Sequence, residues 1–61
     1  MESFEVLDNI DIVLNRLSKE TNVEFSIESL FRSGRLFIFT SEEDRDEIIR
    51  VLNKLDIKFL N

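Results

Sequence analysis

The densest chemistry in the chain lies at residues 41–47, where Glu42, Glu43, Asp44, Asp46 and Glu47 place five carboxylates within seven positions. Carboxylates gathered in this way can hold a divalent cation or act as general acid and base. The run has neither the Gly nor the ligand spacing of a calcium loop. Catalytic carboxylates also need burial or a cleft to separate their pKa values, and the exposed start of a helix offers neither. Acids in the first turn of a helix complement its dipole, which accounts for the cluster as a solvated face. Together with Asp8, Asp11, Glu24 and Glu28 it also makes an acidic surface able to dock on a basic partner, although a net charge of −5 is moderate for imitating nucleic acid.

Nucleophilic and metal chemistry lack their usual groups. The sequence has no Cys and no His, hence no thiolate, no imidazole and no disulfide. Its Ser, Thr and Lys residues stand in no recognisable spacing with a base. The expectation is a chain that is not an enzyme and that takes no cofactor and no metal.

Recognition chemistry is better represented. Arg32 and Arg35 flank Ser33 and Gly34, and such a pair can grip a carboxylate or a phosphate, although most pairs like it form only a solvated hairpin tip. Phe37 and Phe39 follow on alternate positions, which on a strand resembles a base-stacking platform. Their spacing is not that of the RNA-recognition motif, and an acidic domain repels phosphate backbones. A protein partner is therefore expected, with nucleic acid as the alternative; no small-molecule substrate and no membrane partner are expected.

These residues must be positioned by few elements. Val6, Leu7, Ile10, Val13, Leu14 and Leu17 fall on a stripe of about 120° at helical spacing. Residues 4–20 thus read as one amphipathic helix capped by Ser3, with Phe4 and Ile12 off the stripe. Val23, Phe25 and Ile27 then alternate with Glu24, Ser26 and Glu28, the pattern of a half-buried strand. The only Gly, Gly34, suits a tight turn. Leu36, Phe37, Ile38 and Phe39 make a second strand, apolar on both faces. Thr40 or Ser41 caps a second helix with Glu43 or Asp44 three residues on, and Ile48, Ile49, Val51, Leu52 and Leu55 line its buried side. Residues 56–61, with Ile57, Phe59 and Leu60, form a short third strand or a docked tail.

The expected architecture is a single α+β domain over residues 1–61. It is a compact α-β-β-α arrangement, with or without a short C-terminal strand, in which two amphipathic helices pack on one face of a β-hairpin sheet. The alternative makes residues 4–7 a strand and lets Asp8 cap a shorter helix, giving the ferredoxin-like order β-α-β-β-α-β. The single helix is preferred because Val6 and Leu7 both land on its stripe.

Face assignment follows from the turn. If Ser33 and Gly34 form a two-residue loop, Phe31 opposes Leu36 and Leu30 opposes Phe37. Val23, Phe25, Ile27, Phe31, Leu36 and Ile38 then share the helix-covered face. Leu30, Phe37 and Phe39 point the other way, beside Glu24, Ser26 and Glu28. Either the C-terminal segment or a helix covers them, or they form an interaction surface with Arg32 and Arg35.

Size favours self-association. Folding a chain of 61 residues buries about 6,400 Å², and this contributes roughly 95 kcal/mol against about 90 kcal/mol of ordering entropy. A homodimer supplies what disulfides and metals do not. The lack of Ala, Pro, Gln, Trp and Tyr beside plentiful Ile, Leu, Phe and Asn fits an A/T-rich coding sequence of phage, viral or low-G+C microbial type. No basic start precedes a long apolar run, so neither a signal peptide nor a membrane span is expected. The expected compartment is the cytoplasm, that of the host if the chain is viral. The functional expectation is a small acidic protein-binding module, a homodimeric regulator or inhibitor of another protein; the alternative is a nucleic-acid-binding module using the hairpin Arg and Phe residues.

Overall fold

A computed structural model describes residues 1–30 and 33–60 of the chain. Its elements run β1 (Glu2–Val6), α1 (Ile10–Glu20), β2 (Ser26–Leu30), β3 (Arg35–Thr40), α2 (Arg45–Lys54) and β4 (Phe59–Leu60). The strands form one antiparallel sheet in the order β2-β3-β1-β4. The α+β class, the two helices, the hairpin and the short C-terminal strand all match expectation. The start of the chain does not: the ferredoxin-like order is adopted in place of α-β-β-α.

The reason lies in β3. A strand apolar on both faces is best satisfied at the centre of a sheet, and a hairpin alone would leave it at an edge. Pairing β1 against it, with Phe4 opposite Ile38 and Val6 opposite Leu36, buries both Phe4 and Val6. A helix over residues 4–20 would instead strand Phe4 off the apolar stripe. Leu7, counted in that stripe, remains 55% exposed. Ser3 is accordingly a strand residue, and Asn9 caps α1 by accepting the Asp11 amide on Oδ1 at 2.8 Å. Asp8, expected as the cap of a shorter helix, instead accepts the Asn9 amide at 2.7 Å. The stripe of α1 narrows to Val13 and Leu17 as fully buried residues, while Ile10 and Leu14 lie exposed.

The second helix follows its pattern more closely. Ile48, Val51 and Leu52 are buried, and Ile49 and Leu55 pack partly against the core. The helix starts later than expected: Asp44, not Thr40 or Ser41, stands at its N-cap and makes no side-chain capping bond. Ser41 closes the turn before it, accepting the Asp44 amide on Oγ at 3.3 Å and donating its hydroxyl to Asp44 Oδ2 at 3.1 Å. Thr40 has another task, donating to the Glu24 carbonyl from a buried site at the end of β3.

All of these buried side chains lie on one side of the sheet. Phe4, Val6, Leu36 and Ile38 meet Val13 and Leu17 of α1, Ile48, Val51 and Leu52 of α2, and Ile57 before β4. Phe59 adds an edge-to-face contact with Phe4 at 5.7 Å between ring centroids. Both helices thus cover a single face. No helix among the described residues is long and apolar enough to cross a membrane.

Candidate interaction surface

Strand alternation decides what the uncovered face presents. Each inward residue of β3, Leu36 or Ile38, is followed by an outward Phe37 or Phe39. Across the register, Glu28, Phe37, Glu5 and Leu60 form one row, and Ser26, Phe39 and Ser3 form the next. Leu30 and Arg35 pair at the end of the hairpin. The Leu7 amide donates to the Lys58 carbonyl at 2.9 Å, carrying the β1–β4 register one pair on and placing both on this same face.

The two rings on β3 lie side by side, their centroids 6.4 Å apart and their planes inclined by 37°. Both are half-buried and stand outside the core cluster. Around them Leu30 is 47% exposed and Leu60 is 54% exposed. The C-terminal segment does not seal the rings: β4 adds at the edge beside β1 and turns Phe59 toward the core.

Arg35 sits at the corner of this patch. Its Nη2 and Nε donate to the two carboxylate oxygens of Glu5 at 2.9 and 3.1 Å, and its guanidinium lies 5.1 Å from the centroid of Phe37. The hydrogen bond from Arg35 holds the Glu5 carboxyl below its ordinary pKa, and Glu5 in turn raises that of Arg35. The guanidinium is thereby paired with a carboxylate of the neighbouring strand while its side chain stays 52% exposed, so an incoming phosphate would compete with Glu5 for it. On the strands of this face Glu5 and Glu28 are balanced by Arg35 and Lys58, while Glu24 stands at its margin near Phe39, in a chain of net charge −5.

The structure brings four of the residues expected at the surface together. Leu30, Phe37, Phe39 and Arg35 share one face, as alternation implied. Arg32 and Phe31 lie outside the described residues. The pairing differs, since Leu30 opposes Arg35 and Glu28 opposes Phe37, with Ser29 in the place opposite Leu36 expected for Phe31. The shift is by two residues, so every side chain keeps its face. Gly34 takes the left-handed conformation, φ 68°, and its amide donates to the Leu30 carbonyl at 2.9 Å. Glu5, Leu7, Lys58 and Leu60 join the surface unannounced, because they enter it only once residues 2–6 are a strand. The doubly apolar β3, which demands a neighbour on each side, was the signal for them.

The acidic run disperses across several partners. Glu47 accepts two hydrogen bonds from Arg50, at 2.7 and 2.9 Å, and one from the Thr21 hydroxyl at 3.1 Å. Those bonds, that from Arg50 foremost, hold its carboxyl below the ordinary value against a smaller opposing effect of burial. Asp44 serves Ser41, and Asp46 lies 3.5 Å from Arg45. Among the described residues no three His, Cys, Asp or Glu side chains converge as a metal site would require. No family model matches the chain, and neither a curated protein nor a solved structure matches it.

Proposed function

We propose that this chain is a small protein-binding module that works as a two-fold dimer, with the open face of its sheet as the contact. The observation that carries this reading is the Phe37 and Phe39 pair, side by side on the central strand and on the face that neither helix covers. Aromatic residues dominate the buried centres of interfaces, and a polar surround such as Glu28, Ser26 and Ser3 forms the rim. The near balance of charge on the strands of this face lowers the repulsion that a net charge of −5 would otherwise bring between two copies. On this reading the chain performs no covalent chemistry. It acts by occupancy, as a regulator or inhibitor of another protein in a microbial or phage-infected cytoplasm.

Sedimentation equilibrium at micromolar concentration tests the contact. The wild type is expected at twice 7.3 kDa. Phe37→Glu is expected at the single mass with its circular dichroism unchanged. As a control, Ile38→Ala opens a cavity on the helix-covered face and costs about 2–5 kcal/mol whatever the state of association. A wild type found only as a monomer overturns the dimer. Loss of secondary structure in Phe37→Glu makes Phe37 ordinary core and removes the surface.

A further inference from the structure

We infer that the free edge of β2 is a second docking site, one that takes an extended segment of a partner protein carrying cationic residues at alternate positions. The site shares Glu28 and Phe39 with the open face, but its main-chain contacts lie along the free edge of β2 and do not require the dimer.

The sheet order leaves β2 and β4 at its edges. An edge strand turns every other N–H and C=O away from its neighbour, and natural sheets guard such edges with Lys, Pro, bulges, shortness or a covering segment. At β4 the edge is two residues long and Lys58 precedes it. At β2 the only guard among the described residues is the charge of Glu28. Its five residues, Ser26, Ile27, Glu28, Ser29 and Leu30, include neither Lys nor Pro and pair with β3 in unbroken register, without a bulge. Only Ile27 is partly buried; even Ser29, on the inner side, is exposed, so α1 does not reach over this end.

Charge selects the occupant. A second copy pairing antiparallel over the full strand would put Glu28 directly opposite its own counterpart, an arrangement that destabilises a sheet. The same glutamate attracts a Lys or Arg on an added strand, on the outward positions it shares with Ser26 and Leu30. The inward positions of that strand would lie beside Ile27 and favour a β-branched residue. Past the start of β2 the chain continues to Glu24, at the rim of an open depression of about 360 Å³ that crosses the end of β3 and is lined by Met1, Phe25, Phe39 and Thr40, with Asp44 beside it. It suits an amphipathic cationic side chain, whose stem packs on the rings while its head reaches the carboxylates. Strand addition of this kind draws affinity from main-chain hydrogen bonds and selectivity from alternate side chains.

Nuclear magnetic resonance titration of the full chain with a capped eight-residue peptide alternating Val and Lys tests the site. Amides of residues 26–30 should shift and gain exchange protection. The same peptide N-methylated at alternate backbone positions should not bind, and a Val and Glu peptide should bind more weakly. Glu28→Lys, at an exposed position compatible with the fold, should weaken the Lys peptide about fivefold and reverse the preference between the two peptides. Absence of shifts at millimolar Lys peptide overturns the inference. Equal binding of the N-methylated form also overturns it, as do shifts confined to Phe37 and Phe39 or to β4. Shifts confined to Phe37 and Phe39 would bear on the dimer contact; the other outcomes leave it untouched.

Discussion

Arg35 on β3 and Glu5 on β1 are locked together by two hydrogen bonds of 2.9 and 3.1 Å, across the boundary between the two central strands. Arg45, Arg50 and Lys54 are likewise joined to Glu2, Glu47 and Glu20. Four of the seven bases among the described residues are thus paired with the chain's own carboxylates, which on the proposed reading leaves fewer of them to meet a phosphate backbone.

Wild-type protein should accordingly pass a DNA-cellulose column without retention at any salt concentration. Glu5→Gln removes the carboxylate charge from Arg35 and one acid from the open face, so slight retention at low salt is the expected change. Salt-dependent retention of the wild type would instead favour the nucleic-acid-binding reading, because counterion release gives phosphate binding that signature.

The neighbours Val6 and Leu7 should respond oppositely to the same change. Val6 is buried between sheet and helices, so Val6→Asp places an unpaired carboxylate in the core and costs more than about 4 kcal/mol, enough to unfold a domain this small. Leu7 is exposed, and Leu7→Asp should lie within about 1 kcal/mol of the wild type. Urea denaturation of dilute protein measures both. Comparable destabilisation by the two would restore the long N-terminal helix.

Glu47 links the end of α1 to α2 through the Thr21 hydroxyl and is held by Arg50, and its folded pKa lies below the ordinary 4.5. A depressed carboxylate pKa means that the contribution is fully present above the unfolded value and is lost as pH falls through the folded one. Wild type should therefore exceed Glu47→Gln in thermal stability near neutral pH, and the gap should close as pH falls below the ordinary carboxylate value and through the lowered folded one. Both side chains are well solvated, so the gap is small and should shrink in high salt. A gap that widens on acidification would contradict the assignment.

Local pattern alone determined the hairpin faces and the second helix. Alternation put Phe37, Phe39 and Leu30 on one face and Ile27, Leu36 and Ile38 on the other. The actual turn moved the pairing by two residues and left that division intact, since the side-chain period of a strand is also two. Likewise Ile48, Val51 and Leu52 mark one side of a helix wherever that helix docks. Tertiary structure decided the first twenty residues. Phe4 and Val6 satisfy a strand as well as Val6, Leu7 and Ile10 satisfy a helix, and nothing local separates the two. The choice rests on β3, more than thirty residues away, whose unpaired edge gains hydrogen bonds and whose Ile38 gains the Phe4 ring only if residues 2–6 extend beside it. That long-range pairing also brought Glu5 to Arg35, and a helical N-terminus would have kept the two apart.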